Sequence, residues 1–187
     1  MAAADRARWD ERYAAREPLA IADVAPPAAF VDQVDRFPVI GTALEVACGD
    51  GRGAVWLARR GLEVIALDVS PEAVGLARDL VERAGASTRC HIEAVDLDDG
   101  LPPGPPADVV LCHLFNAPAL DGALLDRLAP GGLLAVAVLS EVGAEPGRFR
   151  ARPGELLDRF GSVEGLTVLD ATESAGVARI LARRTHT

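Results

Sequence analysis

The residues best suited to chemistry lie in one short run. Leu44-Glu45-Val46-Ala47-Cys48-Gly49-Asp50-Gly51-Arg52-Gly53 carries an apolar segment into three closely spaced glycines, and Asp68 stands 19 residues beyond Gly49. Glycines let a backbone turn sharply and come close to a ligand. A helix that starts there offers free N–H groups and partial positive charge, which suits a phosphate or a carboxylate. A carboxylate at the end of the next strand can accept both hydroxyls of a ribose. The glycine turn and Asp68 together therefore point to an adenosine-containing cofactor.

Which cofactor is decided by the company of the turn. Gly49-Asp50-Gly51-Arg52-Gly53-Ala54 also fits the dinucleotide pattern GxGxxG/A. Three features tilt against a nicotinamide or a flavin. Glu45 lies inside the strand and Asp50 inside the turn, and negative charge there repels a pyrophosphate while attracting a sulfonium and an ammonium. Asp96 places another acid at the end of a third strand. The chain also closes on an antiparallel hairpin, which is not part of the ordinary dinucleotide fold.

The elements that must hold these residues follow from periodicity and punctuation. A helix is expected over Asp5 to Arg16, with Trp9 and Tyr13 on one face, stopping before Pro18. A loop covers Pro18 to Pro27 and a short helix Ala28 to Phe37. The first strand is Thr42 to Ala47, followed by a helix over 54–60 that Gly61 closes. Glu63 to Leu67 forms the second strand, and Ser70-Pro71 opens the next helix as N-cap and first residue. Thr88 to Val95 is the third strand, Asp108 to Cys112 the fourth and Leu133 to Leu139 the fifth, with a helix over Ala119 to Leu128 and a Pro130-Gly131-Gly132 turn between the last two. After a loop over Glu141 to Pro153 and a helix over Gly154 to Phe160, strands Leu166 to Thr172 and Val177 to Arg183 are joined by a turn too short for anything but antiparallel pairing. Apolar strands alternating with helices imply a parallel sheet covered on both faces. The expected class is α/β, a doubly wound Rossmann-like seven-stranded sheet with five parallel strands and a C-terminal antiparallel hairpin.

Bulk properties bound the partners. A chain of 187 residues suits one domain, and a hydrophobic fraction of 50% allows a real core, mostly aliphatic because aromatics make up only 4%. A formal net charge of -9 argues against nucleic acid and against anionic membranes, and favours a small-molecule partner. Cys48, Cys90 and Cys112 are odd in number and form no CxxC pair, so neither a disulfide framework nor a metal site is expected. The residues Met1 to Arg8 do not read as a signal peptide, and no apolar run reaches membrane-spanning length. A cytoplasmic monomer or homodimer is the expectation.

In order and spacing these segments resemble the class I S-adenosylmethionine-dependent methyltransferases. Glu45 to Gly51 looks like their first motif, and Asp68, Asp96-Leu97, the strand Asp108 to Cys112 and Leu128-Ala129-Pro130-Gly131-Gly132 look like the later ones. Trp9-Asp10-Glu11-Arg12-Tyr13 resembles the N-terminal cap helix of small bacterial members, including tellurite-resistance and thiopurine methyltransferase-like proteins. The resemblance implies one methyltransferase domain over 1–187, with 1–38 as a helical cap, and S-adenosylmethionine as cofactor. It implies that Gly49 and Gly51 line the methionine portion and that Glu45 supports the loop and the ammonium. Asp68 would hold the ribose, Val69 would pack on the adenine, Asp96 would accept from the adenine amine and Leu97 would flank the ring. Cys112 and His113 would lie near the sulfonium, and Tyr13 and Trp9 would cover the site. Ala47 departs from the family, which often has glycine there.

Plainer readings compete at several positions. Trp9 and Tyr13 could simply pack a helix, and Asp68 could be a helix-entry residue before Ser70-Pro71. His113, at the carboxyl end of the fourth strand, could take a proton from an acceptor or be a structural histidine. Asn116 could be a cap or a ligand contact. Arg150, with Arg148, could bind an anionic acceptor or be solvated. The functional alternatives are an NAD(P)-dependent oxidoreductase and a non-catalytic S-adenosylmethionine-binding module.

Overall fold

The protein is described by a computed structural model covering residues 3–186. Two compact units divide the chain, Met1–Pro102 and Pro103–Thr187. Seven strands build a mixed sheet, parallel strands plus a C-terminal antiparallel pair, as the sequence implied.

In the first unit the helix α1 (Ala3–Ala14) precedes β1 (Gly41–Val46), α2 (Arg52–Arg60), β2 (Leu62–Asp68), α3 (Pro71–Arg83) and β3 (Cys90–Ala94). The strands are parallel in the order β3-β2-β1, with Glu45 beside Ala66 and Asp68 beside Ala94. Ser70 caps α3 by accepting from the Ala73 N–H at 3.2 Å, and Pro71 occupies its first position. Gly61 ends α2 in the left-handed region at φ 110°. The short helix expected from Ala28 is a 3₁₀ helix, Ala28–Arg36. It holds an aromatic cluster: Phe30 and Phe37 lie edge to face at 5.9 Å, and Phe37 and Trp56 at 5.1 Å. Phe30 and Phe37 are fully or almost fully buried, so the core is less purely aliphatic than composition suggested. The Arg60 guanidinium clamps this segment, donating to the carbonyls of Phe37 at 2.7 Å and Pro38 at 3.4 Å.

The second unit contains β4 (Ala107–His113), α4 (Asp121–Asp126), β5 (Leu128–Leu139), α5 (Glu155–Phe160), β6 (Leu166–Ser174) and β7 (Val177–Arg184). β4 and β5 are parallel, β5 and β7 antiparallel, and β7 lies between β5 and β6. Val109, Val110, Leu111 and Cys112 are buried in succession, the pattern of a strand covered on both faces. The expected Pro130-Gly131-Gly132 turn is a bulge inside β5. Ala107 pairs with Leu128 while Val109 already pairs with Leu133, so the extra residues loop out, and Gly131 takes φ 75° to allow it. This early start of β5 shortens the helix expected over Ala119 to Leu128 to a 3₁₀ turn, Pro118–Leu120, and α4. The closing hairpin turns at Ala175 (φ 48°) and Gly176 (φ 81°), both left-handed as a tight two-residue turn requires.

Candidate functional site

The glycine turn is built on hydrogen bonds that glycine alone makes easy. The Cys48 N–H donates to the Leu67 carbonyl at 3.0 Å, Gly51 donates to Cys48 at 3.1 Å, and Val55 donates back to Gly51 at 2.9 Å to start α2. Ala47, Gly49 and Gly51 have φ of 54°, 57° and 81°. A Cβ at Gly51 would stand 2.8 Å from the Ala77 Cβ, so α2 and α3 close on each other only because that side chain is missing. Ala47 sits in the left-handed region that favours glycine. An L-residue held there costs on the order of 1–2 kcal/mol. Ala47→Gly should raise stability by up to about 1 kcal/mol after the extra freedom of the unfolded chain is subtracted. Urea unfolding measures this, and a lowered midpoint would show that the methyl group contributes more packing than strain.

Asp68 locks the turn to the next helix. Its Oδ2 accepts from the Gly49 N–H at 2.8 Å and its Oδ1 from the Ser70 N–H at 3.0 Å. Burial pushes this carboxyl above its usual range, against the pull of those backbone donors. Each oxygen has two lone-pair sites, so both keep acceptor capacity after these bonds.

Glu45 lies beneath the turn and is 4% exposed. Its carboxyl abuts the Cα of Gly53, accepts from the Ala54 N–H, and leaves Oε2 buried with no hydrogen-bond partner. Burial, then the nearby Asp50 and Asp68, push it up to about 8. Three carboxyl groups thus surround one turn, and one of them holds an unused buried oxygen. Such a cradle repels a pyrophosphate and suits a cation. A sulfonium and an ammonium meet that condition, so the residues present fit S-adenosylmethionine.

Helix α1 lies on this turn. A Cβ at Gly49 would stand 2.5 Å from the Tyr13 Oη, so the phenol rests against the glycine. Burial, followed by Asp68 and Asp50, pushes the phenol up to about 12, so it stays protonated as a donor. Arg16 pairs with Asp50 at 3.3 Å, and the Ser70 hydroxyl donates to Asp10 at 2.6 Å. Trp9 lies 6.2 Å from Tyr13 and is flanked by the guanidinium groups of Arg8 and Arg12 at 5.3 and 5.1 Å. Sequence reasoning placed Tyr13 here and missed Asp10 and Arg16 as its fasteners, since their partners lie far along the chain.

The remaining first-unit candidates fall in line. Val69 and Leu97 are buried at 7% and 5% exposure. The Val95 N–H donates to the Asp68 carbonyl at 2.8 Å, which sets Asp96 just beyond β3. Asp96 accepts from the Asp98 N–H at 3.1 Å and so caps the 3₁₀ turn Leu97–Asp99.

In the second unit, β4 ends at His113, half-buried, after the buried Cys112 whose Sγ lies 3.2 Å from the Phe115 carbonyl oxygen. Asn116 follows in the next loop. Its Oδ1 accepts from Arg159 at 2.8 Å, and Arg159 is itself held by Asp121 through bonds of 2.7 and 2.6 Å. Arg150 is not grouped with these residues. Its Nη1 donates to the carbonyls of Ser140 at 2.6 Å and Gly176 at 3.1 Å, which staples the loop after β5 to the closing hairpin. Among the described residues no His/Cys/Asp/Glu cluster could hold a metal ion, and no helix is long and apolar enough to cross a membrane.

Comparison with known proteins agrees with this geometry. Residues 43–132 match a methyltransferase domain family. The chain is 35% identical over 102 residues to a protein-L-isoaspartate O-methyltransferase of Marinobacter nauticus, covering 54% of this chain and 46% of that one. The chain spans less than half the length of the first curated relatives it matches, between 30% and 46%. Among solved structures, an S-adenosylmethionine-dependent methyltransferase from Mesorhizobium loti superimposes with a TM-score of 0.70 at 17% identity, over 88% of this chain and all of that one (100%). Magnesium protoporphyrin IX methyltransferase from Synechocystis, solved with bound SAH, superimposes with a TM-score of 0.66 at 16% identity, over 98% and 95% of the two chains. At these identities the superpositions speak for the fold.

Proposed function

We propose that this chain, whose residues 43–132 match a methyltransferase domain family, transfers a methyl group from S-adenosylmethionine to a small-molecule acceptor. The observation that carries this reading is the acid-lined glycine turn, with Glu45, Asp50 and Asp68 around it and the Glu45 Oε2 buried without a partner. Both units are read as one methyltransferase domain acting in the cytoplasm. The net charge of -9 favours a small acceptor over a nucleic acid.

Each residue then has a task. The Asp68 oxygens, already turned toward the Gly49 and Ser70 amides, take the ribose hydroxyls with their remaining lone pairs. Asp50 supplies negative charge for the ammonium and the sulfonium, and Glu45 adds to it by giving up its proton when a cation binds. Gly49 and Gly51 keep the backbone low, with Ala47 holding the strained entry to the turn. The Tyr13 phenol donates from above, Val69 and Leu97 present apolar walls to the adenine, and Asp96 accepts from its amine. In the second unit, Cys112, His113 and Asn116 are the residues assigned to the acceptor. Trp9 covers, and Arg150 acts through the loop it holds. Bound S-adenosylmethionine supplies a methyl group already activated on a sulfonium sulfur. The chain's contribution is mainly to align donor and acceptor. His113 serves as base when the acceptor must lose a proton.

Isothermal calorimetry tests the reading. S-adenosylmethionine and its demethylated product should bind with dissociation constants of about micromolar order, and NADH should not. Saturable NADH binding with no response to either sulfur compound would overturn methyl transfer in favour of a nicotinamide enzyme.

A further inference from the structure

The tasks given to the glycine turn leave one charge of the cofactor without a partner. S-adenosylmethionine carries a carboxylate on the same carbon as its ammonium. The acids that attract the ammonium and the sulfonium repel that carboxylate. One of the first amides of α2, on Ala54, is already taken by Glu45. A guanidinium at the turn would restore the balance.

The chain brings one there. Arg16 lies just past α1, and its N–H donates to the Tyr13 carbonyl at 3.0 Å, which turns the backbone back beside the phenol. The Arg16 guanidinium stands 5.7 Å from the centre of the Tyr13 ring and 3.3 Å from the Asp50 Oδ2. The Tyr13 Oη is the atom that rests against Gly49, the neighbour of Asp50. Two donors and an acid therefore meet at one point of the turn. The two halves of the ion pair are held unequally. The Asp50 side chain is 12% exposed and belongs to the turn, whereas that of Arg16 is 44% exposed on a long, flexible stem. The pair can open from the Arg16 side while the turn stays as it is.

We infer that Arg16 and Asp50 together read the amino-acid end of the donor: the pair opens, Asp50 receives the ammonium, Arg16 receives the carboxylate, and a donor without that carboxylate is rejected. The inference rests on the methyl-transfer reading above. Opposite charges on adjoining segments are the complement of a zwitterion. The planar guanidinium fork matches a carboxylate in a way that a lysine ammonium does not. Arg16 is then a specificity residue toward the cofactor as well as a fastening of α1.

Calorimetry tests this with S-adenosylhomocysteine and its decarboxylated analogue, the aminopropyl thioether of the same adenosine. The parent protein should bind S-adenosylhomocysteine about tenfold more tightly than the analogue. Arg16→Gln should weaken S-adenosylhomocysteine by about tenfold and leave the analogue as tight as before or tighter, because Asp50 is then open to its ammonium. Arg16→Lys should narrow the preference by about threefold, again with the analogue unweakened. An arginine that only fastens the segment over the turn gives another pattern, an equal loss for both ligands. An arginine that only blocks the turn makes both bind tighter when it is removed. Either pattern overturns the inference and leaves methyl transfer standing. Failure of S-adenosylhomocysteine to bind the parent overturns the methyl-transfer reading and takes the inference with it. Should Arg16→Gln fail to fold, the two ligands measured on Arg16→Lys decide by the same patterns.

Discussion

Asp68→Ala should lose S-adenosylmethionine binding by about a hundredfold or more and lose roughly 2–5 kcal/mol of stability. The two losses have separate causes. The amides of Gly49 and Ser70 both donate to this carboxylate, at 2.8 and 3.0 Å, so removing it leaves two donors without their acceptor at a buried position. Each such orphan costs about 1–3 kcal/mol. The loss of affinity comes instead from the lone pairs that those amides do not use. Urea unfolding and calorimetry on the same variant separate the two. A variant that loses stability and keeps its affinity would show that Asp68 only fastens the turn to α3, the helix-entry role that its position before Ser70-Pro71 equally allows.

Glu45→Gln should be more stable than the parent above pH 8 and lose that advantage near pH 5. Burial, with Asp50 and Asp68, moves this carboxyl from 4.5 to about 8, so the folded chain keeps a proton that the unfolded chain releases between those values. Stability linked to this proton is complete below the unfolded value and drains as pH rises through the folded one, by a few kcal/mol in all. Glutamine is neutral throughout and does not drain. The same substitution should weaken S-adenosylmethionine by about tenfold, because the unused Oε2 is a place for positive charge. A cation bound there favours the ionised acid, so in the parent protein binding should release protons near neutral pH. Unfolding curves at pH 5, 7 and 9 decide the first part. Parallel pH profiles for parent and variant would mean that Glu45 is already ionised in the folded chain.

Much of this site was legible because it is local. The turn glycines follow one another within five residues, and Asp68 stands at the end of the next apolar run, so spacing alone brought them together. The acids were legible for the same reason. What escaped was whatever depends on the sign of a dihedral or on contacts across the chain. Nothing in the apolar run reveals that Ala47 takes φ 54°, or that Leu114 takes φ 61°. Asn116 and Arg159 are separated by 43 residues, and Asp10 and Ser70 by 60, so no periodicity links them. The bulge in β5 hid behind ordinary turn chemistry: Pro130-Gly131-Gly132 does turn, but the ladder continues past it. The helix at Ala28–Arg36 was legible, and its 3₁₀ form was not, because its apolar residues satisfy either helical period.

Helix α1 and the residues just after it are fastened at three points: the Tyr13 phenol on Gly49, Arg16 on Asp50 and Asp10 on Ser70, the N-cap of α3. None of its described side chains is buried. A hydrogen bond, a phenol contact and a half-exposed ion pair are among its fastenings, and elements with few buried side chains open locally before the core does. The cover and the fold beneath it therefore run on different clocks. Helix α1 should therefore exchange its amide hydrogens ahead of the buried strands β1 and β2.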